Sequence, residues 1–304
     1  MNRKEKSKKR KEHGMSKYLD PKADITFKKV FGEHPDLLMS LLNALLPLEQ
    51  GQEIVDLEYL SPELTPQKPE IKDSIVDVRC RDRAGRQFIV EMQMRFNAEF
   101  IRRALYNVSK TYVKQLQPGM NYDTLQPVYA LNLLNDVFEK EEEDFYHHYQ
   151  MAEESHPERI IEGIHLLFFE LPKFKPQTIS EKKMQVLWLR FLTEINENTR
   201  RAPAELLENA EVNKALEIVE ESAYTDAQLL AYDKFWDAVR VAYAWANEGN
   251  VRYKQGLKQG REQGKEEGRA EGIISVAKNM KKKGIDAFII ADTTGLTVEE
   301  IGKL

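Results

Sequence analysis

Residues 74–94, SIVDVRCRDRAGRQFIVEMQM, decide the fold of this chain. Two runs rich in β-branched and aromatic residues flank Arg83-Ala84-Gly85, and a three-residue loop of this kind places its last position in the left-handed region that favours glycine. The stretch therefore predicts a β-hairpin in which Asp82 faces Arg86 across the loop. That loop fixes which residues of the two strands are paired.

Two acidic residues meet on the predicted hairpin. The register places Asp77 directly opposite Glu91, and because strand side chains alternate, Gln93 lies on the same face. Opposed side chains have β-carbons about 4.5 to 5.5 Å apart, so the two carboxylates repel each other. Mg²⁺ commonly binds one or two carboxylates together with waters and phosphate oxygens. The pair predicts a metal site for phosphodiester hydrolysis. The alternative is an ordinary hairpin with a solvated, charged face on which Arg79 pairs with Glu91.

The rest of the chain surrounds the hairpin with helices and further strands. Apolar residues recur at helical spacing over residues 24–46, where Gly32 and Pro35 separate a short helix from a longer one. Another helix is predicted over residues 98–117, and residues 179–248 also have helical spacing. Short β-branched or aromatic runs predict strands at residues 54–60, 75–81, 88–94, 128–134 and 165–171. This order predicts an α/β core with a mixed central sheet flanked by helices, followed by an all-helical C-terminal region.

Composition narrows the class of protein. With 41% hydrophobic and 31% charged residues, the 304-residue chain is expected to be globular and cytoplasmic, without a membrane segment. Cys80 is the only cysteine, which excludes an intrachain disulfide and a cysteine-cluster zinc site. The net charge of -5 leaves nucleic-acid binding open, because phosphate affinity depends on local basic patches. The acidic stretch 139–156 is interpreted as a loop, with His147 and His148 as surface histidines.

Two motifs resemble one known family. Glu91-Met92-Gln93, about a dozen residues after Asp77, resembles the Glu-x-Lys of PD-(D/E)XK nucleases in the Glu-x-Gln form of the recombination-promoting nucleases, or putative transposases. Asp24-Ile25-Thr26-Phe27-Lys28 followed by Val30-Phe31-Gly32 is similar to that family's N-terminal element. The resemblance implies a restriction-endonuclease-like fold and a metal-dependent DNA endonuclease linked with recombination or mobile elements. It covers residues 16–174 most clearly.

The resemblance implies roles for particular residues. Asp77 and Glu91 are expected to be catalytic metal ligands for Mg²⁺, with Mn²⁺ as an alternative ion. Gln93 occupies the place of the usual lysine, and an amide cannot neutralise an oxyanion as an ammonium can. The alternative function is therefore a catalytically weak nucleic-acid-binding or self-associating protein that retains the nuclease fold. Asp24 is the candidate third ligand. The alternative is that Asp24 only forms an ion pair with Lys28, which lies one helical turn later. Glu53 is its rival.

Basic and aromatic side chains are expected to contact the phosphate backbone of DNA. Two of them follow Asp24 on the first helix, and the others recur at three- and four-residue steps on the helix after the hairpin, where a merely solvated face is the alternative. The candidates for nucleic-acid binding are Lys28, Lys29, Arg102, Arg103, Tyr106 and Lys110.

Four segments are predicted along the chain. Residues 1–15 form a basic, disordered tail; residues 16–178 the nuclease core; residues 179–250 a helical region; and residues 251–304 a glycine-repeat segment with a helical hairpin. Glycine recurs every fourth residue from Gly256 to Gly272, which indicates either a helix with a stripe for close packing or a flexible linker. Self-association into a homo-oligomer through this last segment is expected.

Overall fold

The computed structural model describes residues 18–64, 75–176 and 183–304. The predicted basic tail over residues 1–15 lies outside them. The chain divides into two compact units, Met1–Asp237 and Ala238–Leu304, which are described separately.

A six-stranded sheet forms the centre of the first unit. Its spatial order is β1-β2-β3-β4-β6-β5, with β3, β4 and β6 mutually parallel and the other neighbours antiparallel. The sheet is therefore mixed, as predicted. The strands are β1 (Glu58–Tyr59), β2 (Val78–Arg81), β3 (Gln87–Gln93), β4 (Val128–Leu134), β5 (Tyr146–Glu153) and β6 (His156–Glu170).

The hairpin between β2 and β3 has the predicted register. Val78 pairs with Val90, and the backbone N–H of Asp82 donates to the carbonyl of Arg86 at 3.1 Å. Two features of the loop favour glycine at position 85. Gly85 adopts φ +90°, and a β-carbon there would lie only 3.0 Å from the side chain of Gln126.

Two predicted strands are shorter than expected. The strand predicted over residues 75–81 begins only at Val78, because the chain bends at Asp77. Val76 consequently packs in a different apolar cluster from Val78, although the two would share a face in a continuous strand. The strand predicted over residues 54–60 is reduced to β1.

Nine α-helices complete the described part of the chain. In the first unit they are α1 (Asp24–Phe27), which continues as a π-helical turn (Lys28–Gly32), α2 (Pro35–Leu45), α3 (Ala98–Val113), α4 (Lys183–Glu194), α5 (Ala204–Glu208), α6 (Ala210–Ile218) and the start of α7 (Asp226–Lys282). Helices α8 (Ala287–Thr294) and α9 (Val298–Lys303) belong to the second unit. The break that Gly32 and Pro35 predict is confirmed.

Helices cover both faces of the sheet. On one face, the buried side chains of α1, α2, α4 and α6 join Phe88 and Val90 in a single apolar core. On the other face, α3 packs Phe100 and Val108 against Ile89. The result is a restriction-endonuclease-like α/β fold. Helix α3 connects β3 to β4 and packs on β4 and β6, and its residues Arg103 and Asn107 reach the face of β3 that carries Glu91.

The acidic stretch interpreted as a loop contains a strand. Residues Tyr146–Glu153 form β5, the edge strand that pairs with β6. The surface assignment of its two histidines is also wrong: His147 Nε2 lies 2.9 Å from Glu170 Oε1, and His148 Nε2 lies 3.0 Å from Nδ1 of the buried His165. The charged residues 139–144 do form an exposed turn and loop, so the interpretation is wrong from Tyr146 onward.

The glycine repeat lies in a helix. Helix α7 runs without interruption from Asp226 to Lys282 and contains Gly256 to Gly272. Among the described residues, only the nearby backbone of α7 itself lies close to the glycines of the repeat, and no other part of the protein comes within 4 Å of an added methyl group. The end of α7 and the short helices α8 and α9 enclose a small core around Ala277, Ile290 and Ile301. The two short helices α8 and α9 follow α7 within the segment 251–304, where a helical hairpin is predicted.

Candidate active site on the β2–β3 hairpin

Asp77 and Glu91 lie together on the hairpin. The backbone N–H of Met92 donates to Asp77 Oδ2 at 2.8 Å, so the Asp77 carboxylate rests against β3 beside Glu91. Glu91 is only 7% exposed. The bend at Asp77 is what permits this contact, because a side chain in a regular strand stands perpendicular to the sheet instead of reaching the backbone of its neighbour. Two acids therefore share a small, largely buried space.

Burial raises the pKa of both carboxyl groups. For Glu91, loss of solvent has the largest effect on the pKa, and the neighbouring Asp77 raises it further, while Arg103 and a hydrogen bond from Asn107 lower it. For Asp77, burial again dominates the raised pKa, against lowering by the Met92 N–H, Lys28 and Arg103. Both charged forms are disfavoured by the surrounding protein, and a cation between them would reverse this.

Helix α3 supplies the polar partners of the pair. Arg103 Nη2 donates to Gln93 Oε1 at 2.8 Å and lies 3.8 Å from Glu91 Oε2. Gln93 Nε2 donates to the carbonyl of Arg95 at 2.7 Å, so both ends of its amide are held. Arg79, the alternative partner of Glu91, instead donates from Nη2 to Gln87 Oε1 at 2.8 Å.

Asn107 is a site residue that the sequence interpretation missed. Its Nδ2 donates to Glu91 Oε1 at 3.0 Å, and the residue is 1% exposed. The signal was available in the spacing, because Asn107 lies one helical turn after Arg103 and interrupts the apolar face formed by Ala104 and Val108. A polar residue buried on such a face needs a polar partner.

Asp24 and Lys28 lie near the pair and are joined to each other. Lys28 Nζ is 2.7 Å from Asp24 Oδ1, and both side chains are about half exposed, so the predicted i,i+4 ion pair is present. Their charges nevertheless influence Asp77, whose pKa is raised by Asp24 and lowered by Lys28. Glu53 lies elsewhere, in the exposed loop before Ile54, where hydrogen bonds from backbone N–H groups of that loop lower its pKa.

The donor set fits a hard divalent cation with few protein ligands. Within residues 18–64, 75–176 and 183–304, no group of three or more His, Cys, Asp and Glu side chains is arranged to hold a metal ion. A cation at Asp77 and Glu91 would have two carboxylates, within the one or two that Mg²⁺ commonly takes from a protein in phosphate-processing sites.

The other residues predicted to contact DNA differ in their surroundings, because Lys29 is bonded within the fold whereas those on α3 lie at the surface. Lys29 Nζ donates to the carbonyl of Ala223 at 2.7 Å and lies 3.7 Å from the ring centroid of Tyr224, so its ammonium is used within the fold. Arg102 is exposed. Lys110 Nζ lies 5.5 Å from the ring centroid of Tyr106, which is itself 39% exposed, so these two form one outward-facing group on α3.

A mixed sheet with one acid just before a strand and a second acid on the neighbouring strand, where side chains of a helix contact the second, is typical of the class of PD-(D/E)XK nuclease-like proteins. A family model described as PD-(D/E)XK nuclease family transposase matches residues 21–244, and the chain belongs to this family. The match indicates a nuclease-like or transposase role. No curated protein and no solved structure matches the chain significantly. Among the described residues, no helix combines the length and apolar character required to cross a membrane.

Proposed function

We propose that the protein is a DNA endonuclease that hydrolyses phosphodiester bonds with a divalent cation, Mg²⁺ or alternatively Mn²⁺. The observation that carries the proposal is the close pair of Asp77 and Glu91, whose pKa values are both raised in the protein alone. Like charges held together in a poorly solvated place destabilise a fold, and such arrangements are concentrated at functional sites. Family membership supplies the reaction class.

Asp77 and Glu91 would hold the cation in this proposal. A divalent cation bound there supplies polarisation of the scissile phosphate and a water of lowered pKa. Asn107 keeps one oxygen of Glu91 in a fixed direction through its hydrogen bond, and the Met92 N–H does the same for Asp77. Hydrogen bonds that orient metal ligands commonly have strong effects on metal affinity.

Arg103 compensates for the missing lysine in this proposal. Gln93 carries no charge, but Arg103 Nη2 donates to its Oε1 at 2.8 Å and so brings a positive charge from α3 to the position where a lysine would act. A guanidinium is permanently charged and presents several donors to phosphate oxygens. Gln93 orients the attacking water, and Arg103 stabilises negative charge that develops on the phosphate.

DNA would approach along α3 and the first helix. Arg102, Tyr106 and Lys110 face outward on α3, and Lys28 lies beside Asp24 near the acid pair. Contacts of this kind position the backbone of DNA without reading its sequence. Replacing Arg102 with alanine should therefore raise KM and weaken the salt dependence of binding, whereas Arg103→Ala should lower kcat by roughly 100-fold. Arg103→Lys should recover part of that loss.

The principal test is plasmid nicking with Mg²⁺ or Mn²⁺. Wild type should nick and Asp77→Ala should not, while the matched control Asp123→Ala, which removes an exposed acid from a short surface turn, should nick as wild type does. Nicking by Asp77→Ala at the wild-type rate would remove the acid pair from the mechanism. Binding of DNA without nicking by wild type would instead support the alternative, a nucleic-acid-binding protein that keeps the nuclease fold.

A further inference from the structure

A cavity lies beside the acid pair. It has a volume of about 280 Å³ and is formed between α1 with its π-helical turn and the first turns of α7. Asp24 and Lys28 line it, and these are the two residues of the first helix whose charges shift the pKa of Asp77. A strand of DNA held at the acid pair and contacted by Lys28 would therefore pass close to this cavity.

The walls of the cavity are fixed by contacts within the first unit. Lys29, which also lines it, donates from Nζ to the carbonyl of Ala223 and lies over the ring of Tyr224. Tyr224 is buried in an apolar cluster with Leu19, Ala23 and Tyr232. The π-helical turn and the start of α7 are thus tied together, so the cavity exists before any ligand arrives.

The charges around the cavity do not favour an anion. Two lysines are matched there by Asp24 and Glu33, Lys28 is 2.7 Å from Asp24, and the ammonium of Lys29 is already used. A phosphate group entering the cavity would meet two carboxylates without an available surplus of positive charge. The occupant that fits is a neutral group.

The other residues that line the cavity favour a flat aromatic ring as its occupant. Phe235 is half-buried and packs edge-on against Trp236, at 5.4 Å between ring centroids and 80° between planes, which keeps its ring in place. Gln228 Oε1 accepts from the backbone N–H of Thr225 at 2.9 Å, so the amide is oriented and its Nε2 group is the donor. An aromatic face beside an oriented amide can stack on a nucleobase and donate to its edge.

We propose that this cavity binds one unstacked nucleobase of the DNA strand that is cut at Asp77 and Glu91. The inference rests on the proposed function and deepens it. A volume of about 280 Å³ lies just below the range of roughly 300 to 1,000 Å³ for sites of drug-sized ligands, so it accommodates one base and not an oligonucleotide. Since a base inside a duplex must leave its stack to enter, the protein prefers single-stranded or locally melted DNA.

The test is a cleavage map on single-stranded oligonucleotides that each contain one abasic site. With wild type, the missing base should lower cleavage at one phosphate, at a fixed distance from the gap, by roughly 5- to 100-fold, the range that loss of one base–aromatic stack predicts. Phe235→Ala should lower cleavage by a similar factor on intact DNA and should show no further loss at the abasic site. Phe235→Leu preserves apolar packing and should behave like Phe235→Ala. Tyr122→Ala, which removes an 82% exposed ring elsewhere in this unit, is the control and should retain the wild-type map.

A second measurement separates this inference from the proposed function. An oligonucleotide that contains 2-aminopurine should become more fluorescent when Asp77→Ala binds it, because the probe base leaves its stack, and Phe235→Leu introduced into Asp77→Ala should remove the increase. Cleavage by wild type with a map that the abasic site leaves unchanged would overturn the inference and leave the nuclease assignment intact. Absence of cleavage together with a Phe235-dependent fluorescence increase would overturn the nuclease assignment alone.

Discussion

Glu91→Gln should make the metal-free protein more stable while it abolishes cleavage. Glu91 is 7% exposed and opposes Asp77, and glutamine has the same shape without the charge. The hydrogen bond from Asn107 Nδ2 persists, because an amide oxygen also accepts. The substitution therefore removes the repulsion between the two acids and the cost of burying a charge, and it loses mainly the attraction to Arg103.

The magnitude follows from the geometry of the pair. Two charges about 6 Å apart, roughly the spacing of side chains that meet across neighbouring chain segments, repel by about 3 kcal/mol at an effective dielectric constant of about 20. Arg103 is half exposed and 3.8 Å from Glu91, so the attraction lost with it contributes about 1 kcal/mol at most. The net gain of about 2 kcal/mol corresponds to an increase in Tm of about 4 to 8 °C for a unit of this size.

Thermal unfolding in EDTA and in Mn²⁺ measures this effect. The pKa of Glu91 is raised in the folded protein, so its destabilising effect is fully present above that pKa and disappears as the pH falls toward the ordinary value of 4.5. The difference in Tm between variant and wild type should thus be largest near pH 8. Mn²⁺ should raise the Tm of wild type more than that of the variant.

A matched control separates this effect from general charge removal. Glu58→Gln removes an exposed carboxylate that pairs with Arg81 on the neighbouring strands, and it should change stability by less than about 0.5 kcal/mol. If Glu91→Gln were less stable than wild type in EDTA at pH 8, the two acids would not repel each other in the folded protein, and the electrostatic argument for a cation site would be refuted.

Three further outcomes are expected. Asn107→Ala should raise the Mn²⁺ concentration required for half-maximal cleavage by roughly 10- to 100-fold, because the hydrogen bond that fixes Glu91 is lost; an unchanged requirement would show that Glu91 does not need this support. Gly264→Ala should increase helicity and stabilise α7 by about 1 kcal/mol, because open space surrounds the site of the added methyl group. If the variant instead had a lower mass in solution, measured by sedimentation, the glycines from Gly256 to Gly272 would form the expected contact between copies. Burial and the neighbouring His165 lower the pKa of His148, so below pH 6.5 the unfolded chain takes up a proton more readily than the folded one. The β5–β6 hairpin should therefore lose protection from amide hydrogen exchange as the pH falls below 6.5. Equal protection at pH 5 and pH 8 would contradict this reasoning.

The hairpin could be predicted because its determinants are local. Gly85 needs a left-handed conformation, and the loop length then fixes the register that pairs Val78 with Val90. The break at Gly32 and Pro35 is local in the same sense. These features depend on backbone sterics within a few residues, which single residues decide.

The features that sequence interpretation missed depend on tertiary contacts. Strand β5 lacks apolar alternation because it is an edge strand whose residues from Tyr149 to Glu153 are all exposed, and only its pairing with β6 makes it a strand. Asn107 is polar on an apolar helix face, and its role is visible only once α3 packs on the sheet with Glu91 beneath it. The partner of β5 is the strand that directly follows it, but the side chains of β5 have no strand pattern of their own. The spacing of Asn107 marks a polar residue on an apolar helix face, but it does not identify Glu91 as the partner.

The bend at Asp77 connects these observations. A continuous strand would place Val76 in the same core as Val78, whereas the two lie in clusters on opposite faces of the sheet. Asp77 therefore lies outside the paired strand, and its carboxylate accepts a hydrogen bond from the Met92 N–H, which holds it beside Glu91. A substitution that restores regular strand geometry at Val76 would move the carboxylate away from that N–H. Loss of regular structure at the point where two acids converge is therefore a condition of the site, and cleavage should be more sensitive than stability to changes that straighten this strand.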